Sequence, residues 1–417
     1  MTIDLKALKQ AVRDDAAIRR LRRLQPIGGP GDKIFPPTYP PAPTARRGAP
    51  PRHVFERRRV DREEVWCVLI DSVQSQANRM EEALLAAAEE GSGDGAIPLP
   101  YITVDFRGEG LEPLERITSL DAPHRVYDAI LRDSFLEGTP FMQSDEGQLL
   151  AAAKPADATA LLETSPAALL FGAWHSQGEG GGLGAKFPRA LVSEIMGIDT
   201  PVEDGPADPR TGEVEARTAG RRTGSRIDPL GILRNVEVFK GASVSDWSTD
   251  KSAAGKGARP VRPSEINHSN IAPSVEPLGV TCDHAEHRAT ITLAGLRRLR
   301  FGGGERDGTG RALIAALGLV ALAEQDVRGY ALRSRCDLVC DGAGPLELVR
   351  ADGSTKEFEL DRTAVRGLYR EAYAEAEATG FSFRSLTLRP QDKLVEIVRS
   401  SRQLALEGQG NEGEDGE

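Results

Sequence analysis

Several groups of polar residues in this chain have the side-chain types that bind phosphate or carry out acid–base chemistry. Ser75, Gln76, Asn78 and Arg79 follow an apolar run and begin a helical pattern. Backbone N–H groups at a helix start attract phosphate, neutral side chains add donors, and an arginine adds charge. The same residues fit an ordinary polar first turn, so both interpretations stay open at this point.

A second group lies in a glycine-rich segment from Trp174 to Arg189. Glycine lets a backbone approach a phosphate chain closely, and Ser176, Gln177 and Lys186 supply donors and charge. The segment is not a Walker A loop, because neither Ser nor Thr follows Lys186. A flexible loop that binds nothing is the alternative.

Arginines gather at two places further along the chain. Arg221, Arg222 and Arg226 stand in a Thr/Gly-rich stretch, which predicts a hairpin with basic sides. Arg297 and Arg298 follow a predicted strand and precede a glycine run, where they either cover a sheet edge or grip phosphates. Trp247 is a lone aromatic residue that could stack on a base or pack beneath a loop.

Other residues suggest catalysis or a metal site. Asp283, His284 and Glu286 could form an acid–base cluster for RNA cleavage, and Asp246 and Asp250 lie in a candidate loop. A zinc site would draw on the side chains of Cys282, His284, His287, Cys336 and Cys340. Their spacings match no standard zinc pattern, and cysteines on an apolar strand face suit buried thiols. We predict neither a catalytic residue, nor a metal, nor a cofactor.

The charge distribution bears on nucleic-acid binding more than the net charge does. The formal net charge is −10, but residues 1–60 hold 14 Lys/Arg against 5 Asp/Glu. Residues 217–262 hold 10 against 4, and the tail from Glu407 to Glu417 holds five acids and no base. A chain that is acidic overall can still present basic loops to a phosphate backbone.

Composition places the chain among globular proteins. Hydrophobic residues make up 39% and aromatic residues 5%, while 44 Gly and 27 Pro require many loops. No apolar run reaches the ~18 residues of a membrane span, and the N-terminus lacks the apolar core of a signal peptide. Four cysteines imply no disulfide framework. We expect a soluble cytoplasmic protein that does not bind membranes.

The elements that would position these residues form two β-α-β units. Strand 65–70, helix 73–90 and strand 101–106 make the first. Strand 289–294, helix 311–326 and strand 331–340 make the second. This order predicts an α+β fold with a ferredoxin-like or RNA-recognition-motif (RRM) palm, split by a long insertion. That insertion must carry its own elements, such as helices 124–134 and 145–163.

The remaining pattern divides the chain into five segments. Residues 1–60 form an N-terminal helix, 4–24, and an extended Pro-rich basic arm, 25–51. Residues 61–106 are the first half of the palm, and 107–288 are the insertion. Residues 289–406 hold the second half, a type I′ hairpin at Asp352–Gly353 and helices 361–378 and 391–405, with a strand near 381–388. Residues 407–417 are an acidic, disordered tail.

Several strings resemble a known family. They are VWCVLIDSVQSQANRME at 65–81, LFGAWHSQG at 170–178, GAKFPRALVSEI at 184–195, EINHSNI at 265–271 and LRRLRF at 296–301. They are similar to the repeat-associated (RAMP) backbone subunit of type I-U CRISPR systems, also called type I-G. The resemblance runs from about residue 20 to 400.

The resemblance implies a non-catalytic subunit that polymerises along a CRISPR guide RNA in a Cascade-type surveillance complex. Its partners would be the guide RNA, the target DNA strand through the guide, copies of itself and other Cascade subunits. The family has an RRM-like palm with inserted finger and thumb elements. The residues that we expect to contact RNA are Ser75, Gln76, Asn78, Arg79, Ser176, Gln177, Lys186, Arg189, Arg221, Arg222, Arg226, Asn267, His268, Arg297 and Arg298.

Two other functions stay open on the sequence. One is an RNA endonuclease of the same broad fold, acting on CRISPR RNA. The other is a scaffold that binds no nucleic acid. The predicted sheet lacks the paired aromatic residues of a base-stacking RRM, which favours contact with the RNA backbone over base readout. A coat that accepts any guide sequence needs that property.

Overall fold

The computed structural model describes residues 2–40, 51–90, 95–175, 185–207, 212, 214–241, 245–255, 257–268 and 271–408. These residues fold as two compact units. The first unit spans Met1–Thr218 and Val280–Gln391, and the second holds residues 219–279 and the last helix. The boundaries of the five segments predicted from sequence stay predictions.

The helices account for most of the predicted helical patterns. Helices 73–90 and 361–378 are confirmed, and Asp361 caps the latter through the N–H of Ala364 at 2.7 Å. In chain order the α-helices are α1 (Leu5–Asp14), α2 (Val73–Glu89), α3 (Ala129–Arg132), α4 (Asp145–Ala152), α5 (Thr159–Thr164), α6 (Pro166–Phe171), α7 (Leu293–Leu296), α8 (Gly304–Arg328), α9 (Arg362–Ala378) and α10 (Asp392–Gly408).

The strands are short and numerous, as the glycine and proline content requires. They are β1 (Ala17–Pro26), β2 (Phe55–Val60), β3 (Glu63–Asp71), β4 (Ile102–Asp105), β5 (Arg116–Thr118), β6 (Ser134–Leu136), β7 (Thr139–Pro140), β8 (Ala173–Trp174), β9 (Lys186–Phe187), β10 (Leu191–Ile198), β11 (Val202–Ala207), β12 (Val214–Thr218), β13 (Arg222–Arg226), β14 (Val238–Lys240), β15 (Trp247–Ser248), β16 (Arg259–Val261), β17 (Ile271–Glu276), β18 (His284–Thr292), β19 (Tyr330–Arg333), β20 (Cys336–Cys340), β21 (Leu346–Val349), β22 (Thr355–Phe358) and β23 (Leu386–Pro390).

The largest sheet has the strand order β19-β20-β1-β18-β10-β3-β2, and β21 pairs with β1 and with β22. All of its pairings are antiparallel. The α+β class that the sequence predicts is confirmed, as are the C-terminal helices. The hairpin around Asp352–Gly353 is confirmed too, although only Gly353 has a positive φ there, whereas a type I′ turn needs two such residues.

The predicted helix 4–24 is wrong beyond α1, because its second half is strand β1. Ile18, Arg20 and Leu24 are buried and follow the period of two, while Leu21 is 51% exposed. The hydrophobic residues alone repeat every three positions and therefore imitate a helix. A buried charge at Arg20 holds one of the inward positions, and hydrophobicity does not reveal it.

The predicted β-α-β units differ from the observed topology. β3 lies in the largest sheet, but β4 lies in a second sheet of order β5-β4-β23-β6-β7, where it runs parallel to β23. Within the largest sheet β10, from the predicted insertion, separates β3 from β18. The insertion therefore supplies a central strand, and α2 connects two sheets.

The predicted strand 331–340 is a hairpin. β19 and β20 pair with each other through a turn at Ser334 and Arg335, and Arg335 has a φ of 58°. The alternation of polar and apolar residues continues across this turn, so the sequence reads as one strand.

The largest sheet curls until β19 approaches β3. Arg333 of β19 donates to the carbonyl oxygen of Ile70 at 2.7 Å and to Asp71 at 2.9 Å. The apolar residues inside the curl include Leu24, Ile34, Val68, Ile70, Ile195, Val280, Ala285, Tyr330, Leu332, Cys336 and Leu338. This core holds the ends of β3 and α2 in place.

The Pro-rich arm is partly packed, contrary to the prediction of a free extended segment. Ile34 is 2% exposed in the core and pairs with Val280, and Phe35 donates its N–H to the carbonyl of Arg335 at 2.9 Å. Tyr39 and Arg52 pair with each other. Residues 41–50 of the arm lie outside the described residues.

The second unit contains two small sheets. β13 pairs with β17, and β14 lies between β15 and β16. Its apolar cluster consists of Val238, Val261 and Ile266. Every residue of β13 is exposed, as expected for a two-stranded sheet with little core beneath it.

Among the residues that the structure describes, no helix is both long and apolar enough to cross a membrane.

Candidate nucleic-acid interface

The glycine-rich segment begins and ends in a short hairpin of β8 and β9. Trp174 pairs with Lys186 across it, and the Lys186 ammonium lies 4.5 Å from the centre of the indole ring. Trp174 is 49% exposed and Lys186 is also exposed. An exposed aromatic face next to a cation suits stacking on a base and contact with a phosphate. Ser176 and Gln177 lie outside the described residues.

Gly172 fixes the approach of the chain to this hairpin. Its φ is +84°, and a Cβ there would lie 3.0 Å from both Arg189 Cγ and the carbonyl oxygen of Phe187. Only glycine tolerates both the backbone conformation and the close contact. The hairpin and the Arg189 side chain are therefore held side by side.

Arg189 is the least satisfied cation of the hairpin. Its guanidinium makes no hydrogen bond to any residue that the structure describes, and its Nε atom is buried. Burial lowers the pKa of Arg189, and the positive charge of Arg125 lowers it further. A partly buried arginine without a hydrogen-bond partner is stabilised more by a bound anion than an arginine that is already paired.

The neighbouring carboxylate, that of Glu81, already forms an ion pair with Arg125. Arg125 donates to both oxygens of Glu81 at 2.6 and 2.8 Å and to the carbonyl of Gly172 at 3.1 Å. Burial raises the pKa of Glu81 to about 7, although Arg125 opposes this. Two arginines thus share one buried carboxylate, and Arg189 carries the surplus charge.

An aromatic pair flanks the hairpin. His175 stacks on Tyr127 with a centroid distance of 4.7 Å and an interplanar angle of 10°, and burial lowers the pKa of His175. The sequence alone did not single out Arg125, Glu81 or Tyr127. Their positions in the chain carry no motif, and only the fold brings them to the hairpin.

The start of α2 is a structural site, not an exposed phosphate-binding turn. Gln76 is fully buried and donates to Asp71 at 2.7 Å, while Ser75 donates to the same carboxylate at 2.8 Å. Arg79 donates to Asp71 at 3.0 Å and to the carbonyl of Leu332 at 2.5 Å. Ser75, Gln76 and Arg79 therefore hold the curled sheet together, and the buried side chain of Gln76 offers no surface to RNA in this structure. The contact of these residues with RNA stays a prediction. Asn78 is exposed.

A buried polar network continues from Gln76 into the sheet. Its amide oxygen accepts from Ser193 at 3.1 Å and from Gln325 at 2.8 Å. Ser193 Oγ lies 2.6 Å from His287 Nε2, and Arg20 lies 3.3 Å from His287 Nδ1. His287 Nδ1 also lies 3.1 Å from the Tyr330 hydroxyl, so both ring nitrogens have hydrogen-bonding partners inside the core.

The far end of this network is an ion pair. Arg20 donates to both oxygens of Asp326 at 2.6 and 3.0 Å, and Tyr330 donates to one of them at 2.7 Å. Burial lowers the pKa of His287 to about 3, and the charge of Arg20 adds to this, so the ring is neutral. Ser193 and His287 are 1% and 0% exposed, which makes this pair part of the core.

Arg297 and Arg333 are also structural. Arg297 donates to the carbonyl oxygens of Val12 and Asp15 at 3.0 and 2.7 Å, where α1 ends and its carbonyls lack helical partners. The prediction that Arg297 contacts RNA thus conflicts with an existing role, whereas Arg298 is exposed.

The exposed face of the largest sheet carries matched charges. Arg58 donates to Glu194 at 2.6 Å, and Arg288 donates to Glu286 at 2.5 Å. Since these acids lie beside the arginines, this face of the sheet attracts phosphate weakly. The paired charges therefore do not favour RNA binding across the sheet in the manner of a base-stacking RRM.

The predicted basic hairpin around Arg221–Arg226 is wrong as a hairpin, because β13 pairs with the distant strand β17 and not with an adjacent strand. Arg222 and Arg226 are exposed on β13, and Arg222 is paired with Glu276 of β17. Arg221 is exposed and donates to the carbonyl of Gly220 at 3.0 Å.

Trp247 packs edge-on against His268, with ring centroids 5.4 Å apart. Asn267, beside His268, is exposed and has a left-handed backbone conformation. Trp247 is itself 41% exposed, so it both packs within its loop and presents a ring surface.

The acid–base candidates lie in different units. His284 contacts Asp283 at 2.8 Å and Glu286 at 3.3 Å. Asp250 accepts hydrogen bonds from the N–H and hydroxyl of Ser252, and these bonds lower its pKa. A lowered pKa moves a carboxylate away from the range that suits a general base. Among the described residues, no group of three or more Cys, His, Asp or Glu is arranged to hold a metal ion.

Comparison with known proteins adds one match. Residues 18–202 match the family model described as CRISPR-associated protein GSU0053 (Cas_GSU0053). Over these residues, which make up less than half of the chain, the sequence is similar to a CRISPR-associated protein family. A search of curated proteins finds no matching relative.

The matched segment contains the β8–β9 hairpin with the side chains of Arg125, Glu81 and Arg189. The second unit and the Asp283–Glu286 cluster lie beyond it. The hairpin is therefore the part of the candidate interface that belongs to the matched region.

Proposed function

We propose that the protein is a non-catalytic guide-RNA-binding subunit of a type I-G CRISPR effector complex of the Cascade type. It coats the CRISPR RNA, assembles with copies of itself and with other Cascade subunits, and supports pairing of the guide with target DNA. It works in the cytoplasm, in defence against foreign nucleic acid. The family match supports the CRISPR association, and the β8–β9 hairpin supports the RNA contact.

The observation that carries this proposal is the Arg189 guanidinium. It is partly buried, lies beside Arg125, and has no hydrogen bond to the described residues. An RNA phosphate would satisfy it without base contacts, and Lys186 on Trp174 would extend the contact along the strand. The exposed arginines of β13 would add further phosphate contacts.

Equilibrium binding of fluorescently labelled RNA tests this proposal. Two RNAs with unrelated guide sequences are titrated with wild type, Lys186→Gln, Arg189→Gln and the control Arg19→Gln. Arg19→Gln also removes one positive charge, but in wild type Arg19 is paired with Glu347 on the largest sheet. The two hairpin variants should weaken binding equally for both RNAs, and each should flatten the salt dependence by about one unit per lost contact.

Two results would contradict the proposal. One is unchanged affinity in both hairpin variants, which would remove the hairpin from the interface. The other is a loss confined to one RNA sequence, which would indicate base readout in place of a sequence-independent coat.

RNA cleavage is the second candidate function, and the contact of His284 with two carboxylates favours it. A positioned general acid or base contributes about 10²–10⁴ in rate, so the assay has a wide range. We expect RNA to stay intact after long incubation with Mg²⁺ or Mn²⁺. Cleavage by wild type that His284→Ala or Asp250→Ala abolishes would establish the nuclease instead.

A further inference from the structure

The first unit contains a basic cavity that shares no residue with the β8–β9 hairpin. It has a volume of about 430 Å³ and lies where α1, the segment after α7 and the start of α8 meet. Five basic side chains line it, against two acidic ones. The basic residues are Lys9, Arg13, Arg297, Arg300 and Arg311.

A single carboxylate organises the inner wall of this cavity. Asp307 accepts from Arg300 at 2.8 Å and from Arg311 at 3.1 Å. It also accepts the backbone N–H groups of Phe301 and Gly303 at 2.6 and 3.1 Å. Two amides of the segment just before α8 are thus directed at Asp307, and the attraction for an anion comes from the side chains.

The charges of the inner wall do not balance. Asp307 contacts two guanidinium groups, and Arg297, which donates to neutral carbonyl oxygens, adds a third positive charge to the lining. Burial lowers the pKa of Arg311; Asp307 opposes this, but the charges of Arg300 and Arg297 add to the lowering. At the rim, Lys9 is paired with Glu375, whereas Arg13 is exposed and contacts Gln10 and Asp14 of its own helix.

We infer that this cavity binds a phosphate group. Guanidinium forks match the tetrahedral oxygens of phosphate, and a partly enclosed cluster of them holds an anion better than isolated surface charges. The site does not depend on the RNA role of the β8–β9 hairpin. Its phosphate comes either from an RNA backbone or from a free phosphorylated ligand.

Phosphorus NMR of inorganic phosphate with the full-length protein tests the inference. The phosphate resonance is followed during titration at constant ionic strength, with chloride as the balancing anion. Arg300→Gln and Arg13→Gln remove cavity cations, and Lys6→Gln removes an exposed charge of α1 that does not line the cavity. Wild type and Lys6→Gln should broaden the resonance, and each cavity variant should weaken binding about tenfold.

Unfolding temperatures serve as a check, because Arg300→Gln also loses its contact with Asp307. Arg13→Gln removes no contact beyond its own helix among the described residues, so it tests the site without that complication. Wild-type binding in both cavity variants, or no broadening beyond the effect of ionic strength, would overturn the inference.

Competition identifies the source of the phosphate. Displacement of inorganic phosphate by an unlabelled RNA would assign the cavity to an RNA backbone. Retention of phosphate in the presence of bound RNA would assign it to a free phosphorylated ligand. Lys186→Gln should leave the effect of Arg13→Gln on phosphate binding unchanged, which separates this site from the proposed hairpin interface.

Discussion

At the scale of single residues, spacing predicted which side chains have polar chemistry but not which of them face solvent. Ser75, Gln76 and Arg79 were grouped as one phosphate-binding turn, yet Asp71 takes a hydrogen bond from each. Lys186 and Arg189 come from one glycine-rich segment of the sequence, and they lie in and beside the β8–β9 hairpin. Their contact with RNA stays a prediction. Their buried neighbours Arg125 and Glu81 could not be predicted, since burial depends on distant segments.

The buried role of Gln76 predicts a difference in stability between neighbouring positions. Gln76→Ala leaves Ser193, Gln325 and Asp71 without a shared partner, and each unsatisfied buried group costs about 1–3 kcal/mol. Asn78→Ala, on the exposed side of the same helix, should change the free energy of unfolding by less than about 0.5 kcal/mol. Urea denaturation measures both, and equal losses would show that Gln76 is not a structural residue.

The lowered pKa of His287 predicts that the free energy of unfolding decreases as the pH falls. Its pKa is about 3 in the folded state and lies near 6.5 when unfolded, so the unfolded chain binds the extra proton. The contribution of the neutral ring is fully present above about pH 6.5 and is lost as the pH falls, by about 2 kcal/mol between pH 6.5 and 5.

Denaturation of His287→Gln at several pH values checks this. The variant should be less stable than wild type at neutral pH, but its further loss towards pH 5 should be smaller by that amount. The exposed His124→Gln serves as the control and should keep the wild-type slope. Identical pH slopes in wild type and His287→Gln would refute the assignment.

At the scale of elements, long patterns predicted α2, β3, α8 and α9, because each has a strong period and end signals. The failures have different causes. The period of β1 is misleading because an arginine is buried, and that of the β19–β20 hairpin is misleading because the turn does not interrupt the alternation. Hydrophobic pattern therefore fails where a charged residue is buried or where a turn preserves the alternation.

The close packing at Gly172, next to the β8–β9 hairpin, predicts that one added methyl group lowers both stability and RNA affinity. Gly172→Ala adds a Cβ that meets Arg189 and Phe187, in a backbone conformation that costs about 1–3 kcal/mol for a non-glycine residue. We expect lower stability and weaker RNA binding, because Arg189 must move.

Gly108→Ala is the matched control. Gly108 has a φ of +87°, but a Cβ there meets nothing within 4 Å. This variant should lose stability through backbone strain alone and bind RNA as wild type does. Equal RNA affinities in the two variants would disconnect Gly172 from the interface.

At the scale of the whole molecule, the sequence predicted the α+β class and a large insertion. It did not predict that the insertion would supply β10 or that the arm would pack Ile34 into the core. Strand pairing between distant segments depends on register and sheet order, which local periods do not encode. The pairing of subunits along RNA stays part of the proposed function.

Assembly can be tested with a narrow deletion. Removing residues 25–51 would destroy the core around Ile34, so only 41–50 should be replaced by a short Gly/Ser linker. Tyr39 and Arg52 pair directly, which places the two ends of the linker close together. We expect a folded chain that no longer forms RNA-dependent oligomers in size-exclusion chromatography. Wild-type oligomers would remove this segment from the assembly contact.

The central position of β1 has a consequence for how the chain is made. Its partners are β18, β20 and β21, so residues near 20 wait for residues near 290 before a first partner strand leaves the ribosome. At ~5–20 residues per second this interval lasts roughly 14–54 s, during which an arginine-rich strand has no partner. The largest sheet closes only late in synthesis, and we expect the charged residues of β1 to limit aggregation of the nascent chain until then.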